Sequence, residues 1–184
     1  MGNFIVITPR LELIAADREM AEAGLTDLNK LSGLLNAGIP DGWPPPFNDE
    51  EALRWFLDRI VTNPLERGWL MWHIILKDDG SGQRLTIGSI GFKGLPDENG
   101  ITETGYSIME DFQRRGFASE ALKGLLKWAF GYDNVKMVIA ETYPDHEASK
   151  GVMLKNDFVF AGQGSEEGVV RFELTREIYF SQQI

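Results

Sequence analysis

The residues best equipped for chemistry lie together in the run Gln113-Arg114-Arg115-Gly116-Phe117-Ala118-Ser119. A strand-like stretch precedes this run and a helical pattern follows it, so it reads as a strand-to-helix turn. A glycine there lets the main chain approach a ligand closely. The first free N–H groups of the following helix, together with its dipole, favour an anion. Two arginines at the same turn add charge-assisted hydrogen bonds suited to phosphate oxygens. The turn is therefore equipped to hold a pyrophosphate, although an ordinary capped turn would carry the same glycine.

The rest of the chain is acidic. Its 184 residues include 18 Lys and Arg against 28 Asp and Glu, a formal charge of −10. Duplex nucleic acid and anionic membranes both demand clustered Lys and Arg, so neither is expected as a partner. A cationic or neutral partner fits better. Cysteine is absent, which removes disulfides, thiolate metal sites and any cysteine nucleophile; no metal is expected. No unbroken apolar run, Trp69-Leu70-Met71-Trp72 included, approaches the ~20 residues that span a bilayer. The start, Met-Gly-Asn-Phe-Ile-Val, has no basic segment leading into an apolar one, and Val6 stands where a myristoylation signal carries Ser or Thr. A cytoplasmic protein is expected, monomeric or homodimeric, with one domain over 1–184.

The elements that must position the turn follow from periodicity. Leu11 and Leu13 share one side of a first strand over 8–14. Asp17 can cap a helix carrying Met20, Ala23, Leu28, Leu31 and Leu35, which Gly24 and Gly33 weaken or split. Residues 38–46 form a breaker-rich loop whose Trp43 could wall a pocket. Asn48 or Asp49 starts a second helix, with Glu50 and Glu51 matching its dipole and Leu53, Phe56, Leu57 and Ile60 facing the core. Strands over 69–76, 85–92 and 101–109 form an antiparallel meander, and Gly88 and Gly91 imply close backbone approach or a bulge. Ala118, Ala121, Leu122, Leu125, Leu126, Ala129 and Phe130 then mark the cleanest amphipathic helix, closed by Gly131 as a C′ glycine. A strand over 135–143, a short helix over 146–156 and strands at 158–160 and 169–174 complete the chain. The strand–helix–strand unit at 101–143 makes the sheet mixed, an antiparallel meander plus one parallel crossover. The fold is expected to be α/β, a twisted mixed sheet with helices on both faces. His73, within a Trp-rich strand, is expected to be structural, and the tryptophans Trp55, Trp69, Trp72 and Trp128 are expected in the core.

A resemblance sharpens this reading. Gln113-Arg114-Arg115-Gly116-Phe117-Ala118 resembles the Gln/Arg-x-x-Gly-x-Gly/Ala motif of the GNAT N-acetyltransferase superfamily. Thr104-Gly105-Tyr106-Ser107-Ile108 resembles the strand before that motif, and Ala118-Ser119-Glu120-Ala121 the start of its helix. Thr8-Pro9-Arg10-Leu11-Glu12-Leu13 resembles the opening of the Rim-like branch, which includes acetylases of ribosomal-protein N-termini. His146-Glu147-Ala148-Ser149 and Lys155-Asn156-Asp157-Phe158 resemble the branch's N-x-A-S…K-x-G-F signature, with His146 in place of Asn and Asp157 in place of Gly. The turn at Asp157 is thus expected to be made differently.

The resemblance implies a GNAT-like fold and acetyl-CoA as acetyl donor. It implies that the main chain at Ile108 holds the thioester carbonyl and pantetheine and supplies the oxyanion donor. It places Gln113, Arg114, Arg115, Gly116, Phe117, Ala118 and Ser119 around the pyrophosphate, and His146 and Ser149 beside the pantetheine and sulfur. The implied reaction is direct transfer to a primary amine, a small molecule or a peptide N-terminus. For its proton transfers Glu103 is the first choice as base and Glu141 the second, with Ser149 as acid and Tyr143 in reserve. Trp43, Tyr106 and Tyr143 are expected to meet the acceptor. The same fold could instead bind an acyl-CoA without catalysis.

Overall fold

The computed structural model describes residues 4–78 and 80–182. The readings that fall on Met1, Gly2 and Asn3 lie outside the described residues. Side chains alternate across a strand, and β2 (Leu11–Ala15) shows it: Leu11, Leu13 and Ala15 are fully buried between half-exposed neighbours. In β3 (Met71–Leu76) the alternation vanishes, because both faces are covered. Trp72, Ile74 and Leu76 enter the main core, while Ile75 packs with helix residues on the other side.

Strands β1 (Ile5–Ile7), β2, β3, β4 (Leu85–Phe92), β5 (Ile101–Ile108), β6 (Met137–Thr142), β7 (Val159–Gln163) and β8 (Val170–Thr175) form one sheet in the order β1-β2-β3-β4-β5-β6-β8-β7. Every neighbouring pair is antiparallel except β5–β6, which is parallel. Helix α4 (Phe117–Ala129) makes the crossover and buries Phe117, Ala121, Leu122, Leu125, Leu126 and Ala129, the face its 3.6-residue spacing predicts. Helices α1 (Arg18–Thr26), α2 (Leu28–Leu35) and α3 (Glu50–Thr62) cover the opposite face. Asp17, Asp27 and Asp49 cap them by accepting from the N–H groups of Met20, Lys30 and Ala52 at 3.0, 3.0 and 2.9 Å. No helix among the described residues is long and apolar enough to cross a membrane.

The expected mixed α/β sheet with helices on both faces is present, and several local expectations change. Residues 17–35 break at Asp27, which ends α1 and caps α2, rather than at either glycine. Leu28, the first residue of α2, is 40% exposed and not core. The edge strand β1 and the last helix, α6 (Arg176–Ser181), were not predicted. Helix α4 ends with Phe130 as its cap in right-handed conformation, so Gly131 is not a left-handed C′ residue. Close approach at the β4 glycines is real: a Cβ on Gly91 would meet the Leu70 carbonyl oxygen at 2.0 Å, and one on Gly88 that of Ser107 at 2.3 Å. The β3–β4 register shifts between Ile74 and Ile75, opposite Gly88. Asp157 makes its turn as glycine would, with φ of +65°.

Candidate functional site

The site begins where two parallel strands part. Strands β5 and β6 pair only at Ile101, Thr102 and Glu103, although β5 continues to Ile108 along β4. The Met109 N–H donates to the Ile87 carbonyl of the β4 segment at 2.9 Å. Successive amides of a strand point to opposite edges, so the Ile108 N–H faces the gap that β6 has left. The Ile108 carbonyl is held on that side by the Gln113 side-chain amide at 2.9 Å. Gln113 thus ties the strand end to the turn that follows it.

The turn itself is shaped for an anion. Arg114 and Gly116 are both left-handed, with φ of +59° and +81°; Gly116 tolerates this freely and Arg114 does so under strain. Gly116 is the N-cap of α4 and offers no side chain to its first amides. From the far side, Arg10 donates to the Arg115 carbonyl at 3.0 Å and pairs through Nε with Glu120 at 2.6 Å. Glu120 also accepts from the Thr8 hydroxyl at 2.6 Å and the Arg10 N–H at 2.8 Å. Although burial raises the Glu120 pKa, these bonds with Thr8 and Arg10 bring it below the ordinary value. Thr8, Arg10 and Glu120, read in the sequence as separate motifs, therefore form one clamp on the first turn of α4.

Two cavities meet at the parting of β5 and β6. One, of about 430 Å³, is lined by Gln113, Arg114, Gly116, Phe117, Ala118 and Ser119. The other, of about 490 Å³, opens beside Glu103, Glu141, Tyr143 and the start of α3. Phe47, Tyr106, Ser107, His146 and Ser149 line both. At this junction the Tyr106 hydroxyl donates to the Ser149 carbonyl at 3.0 Å, which leaves its oxygen to accept from Ser149 Oγ at 3.2 Å. Burial pushes the Tyr106 phenol up to about 12, so it stays protonated.

The structure gathers most of the sequence candidates and moves others. His146, at the N-cap of α5 (Glu147–Leu154), has Nδ1 3.3 Å from the Thr142 hydroxyl. Ser119 Oγ is held by Asn156 Nδ2 at 3.1 Å, which ties α4 to the chain just after α5. Arg115 does not line the turn's cavity; its guanidinium lies over Phe117 and Phe112 at 5.0 and 5.6 Å. Trp43 lines neither cavity and instead packs 6.0 Å from His73, so its loop reaches the cleft through Phe47 and Asn48. Trp55, expected in the core, is 48% exposed and lines the larger cleft. Glu103 lines the same cleft, ion-paired to Lys93 at 2.5 Å. Burial raises the Glu141 pKa, but bonds from Ser165 and Arg171 bring it below the ordinary carboxylate value, which weakens it as a base. The Tyr106–Ser149 pair escaped sequence reading because its members are 43 residues apart.

Comparison with known proteins agrees with this geometry. Residues 14–159 match the family described as acetyltransferase (GNAT) domain. The chain is 28% identical over 161 residues to the uncharacterized N-acetyltransferase YjdG of Bacillus subtilis (strain 168), covering 86% of this chain and 92% of that one. It is 28% identical over 120 residues to the ribosomal-protein-serine acetyltransferase of Escherichia coli (strain K12), covering 65% and 64% of the two chains. Among solved structures, the ribosomal-protein acetyltransferase RimL in complex with coenzyme A superimposes with a TM-score of 0.66 at 22% identity, covering 93% of this chain and 97% of that one.

Proposed function

Because the chain belongs to the acetyltransferase (GNAT) domain family, we propose that it moves an acetyl group from acetyl-CoA directly to a primary amine, acting as one domain. The observation that carries this reading is the meeting of two cavities along Tyr106 and Ser107, with the outward-facing Ile108 amide next to them in the smaller cavity. The smaller one fits the donor. Its glycine N-cap, the open first turn of α4 and Arg114 are suited to a pyrophosphate. Ile108, His146, Ala148 and Ser149 would accommodate the pantetheine arm. The bound donor supplies an activated thioester. The larger cleft would then take the amine.

Within that arrangement the Ile108 N–H donates to the thioester carbonyl oxygen as negative charge develops there. The acceptor nitrogen bonds to the acetyl carbon, the carbon–sulfur bond breaks, and the nitrogen gives up a proton. The departing thiolate takes a proton, for which the Tyr106–Ser149 pair at the junction of the cavities is the proposed source. Tyr106, at the junction of the two cavities, is better placed as the acid than Tyr143, which lines only the larger one and is exposed. Glu103, directly or through water, is the proposed base. The branch similarity favours a relation to the Rim-like enzymes.

Acetyl-CoA and a panel of primary amines, followed by release of free thiol, test the reading. Amine-dependent thiol release is expected, together with loss of turnover in Tyr106→Phe at unchanged donor affinity. Saturable donor binding without thiol release for any amine would reject it.

A further inference from the structure

Resting on the acetyl-transfer reading, we infer that the acceptor is a primary monoamine carried on an apolar, preferably aromatic, body, and neither a polyamine nor a free amino acid. The cleft mouth is built from rings that a folded protein would otherwise bury. Phe47, Trp55 and Tyr143 line it while 81%, 48% and 61% exposed. An exposed cluster of large apolar groups around a concave site marks ligand contact more often than chance exposure.

Trp55 is held in place. The Arg59 guanidinium lies 5.2 Å from its ring centroid, and Arg59 is fixed by two bonds to buried Glu66 at 2.8 and 2.5 Å. A cation already occupies one side of this ring, so the ring is a platform for an apolar or aromatic body rather than for a second cation.

The charges of the lining point the same way. Glu103, the proposed base, is already paired with Lys93, and Glu141 with Arg171 at 2.8 Å, so neither is a free seat for a second ammonium. Glu166 is the one carboxylate of the lining without an ion pair among the described residues, enough to draw in a single ammonium but not to seat several. Lys93, the one Lys or Arg in the lining among the described residues, is the partner of Glu103 and leaves nothing for the carboxylate of an amino acid.

The test compares kcat/KM for phenethylamine, spermidine, phenylalanine and a short peptide with a free N-terminus, with acetyl-CoA saturating. Phenethylamine is expected to lead spermidine and the peptide by up to about tenfold, the most that one well-placed aromatic contact supports, and to lead phenylalanine because the carboxylate of the latter finds no partner. Trp55→Ala and Tyr143→Ala are expected to raise KM for phenethylamine several-fold without changing KM for acetyl-CoA, and Trp55→Phe to restore it. A lead by spermidine, phenylalanine or the peptide overturns the substrate class and leaves acetyl transfer standing. A phenethylamine preference indifferent to both alanine variants overturns the role of the aromatic mouth. Absence of thiol release with every amine removes the acetyl-transfer reading and this inference together.

Discussion

Arg114 and Arg115 are adjacent and identical, yet the fold treats them differently. Arg114 lines the smaller cavity in a left-handed backbone, whereas the Arg115 guanidinium lies over Phe117 and Phe112. Arg114→Ala is expected to weaken coenzyme A binding by about 1.5 kcal/mol, roughly tenfold, and Arg115→Ala by clearly less, read by titration calorimetry. Equal losses would contradict the placement. Asp157 offers a second test at one residue. Its φ of +65° suits glycine, so Asp157→Gly should raise stability by up to about 1 kcal/mol and Asp157→Ala should lower it by about 1 kcal/mol in urea unfolding. The 113–119 run was legible because glycine and arginine announce their chemistry by type. The fate of Arg115 was not, since it depends on two rings that the fold brings to it. Trp55 misled for a related reason: its position on α3 was readable, but the emptiness of the space before it was not.

At the scale of elements, the opening segment and α4 act as a unit. Arg10 holds the Arg115 carbonyl and Glu120 at once, and Thr8 reinforces Glu120. Arg10→Ala should free the turn and raise KM for acetyl-CoA about fivefold, an effect of roughly 1 kcal/mol, with little change in KM for the amine. Steady-state kinetics with each substrate varied checks this; an effect confined to the amine would remove the clamp from the account. Helix α4 was the clearest element in the sequence because 13 residues carry its period without interruption. Strand β1 has three residues and α6 six, too few for a period to emerge. Their existence depends on a neighbouring strand and on contacts such as Tyr179 against Phe130 at 4.5 Å. The break at Asp27 was hidden by a different effect. A capping aspartate is as able to end one helix and begin the next as a glycine is to interrupt one.

The whole molecule is strongly acidic, yet part of its pH dependence comes from a buried base. His73 lies in the middle of the sheet beneath Trp43, and neither ring nitrogen has a hydrogen-bond partner among the described residues. Burial pushes its pKa from 6.5 down to about 4. Between those values the unfolded chain binds a proton that the folded one refuses, so stability falls as pH drops through this range. The loss amounts to roughly 3 kcal/mol in full. His73→Leu should flatten that part of the stability–pH curve and stabilise the protein by about 1–3 kcal/mol near pH 7, by removing unsatisfied polar atoms from the core. A wild-type curve and a His73→Leu curve that run parallel from pH 7 to pH 4 would refute this.

The early separation of β5 from β6 gives a strand in the middle of the sheet the backbone of a border strand over half its length. Amides that face a neighbour exchange with solvent deuterium only when the ladder opens, whereas those at a border exchange far more readily. The amides of Tyr106 and Ile108 face the gap, and those of Ser107 and Met109 face β4. Exchange along this segment should therefore alternate from one residue to the next, fast then slow, in the free protein. Saturation with coenzyme A should erase the alternation, turning a two-residue rhythm in deuterium uptake into a direct record of occupancy.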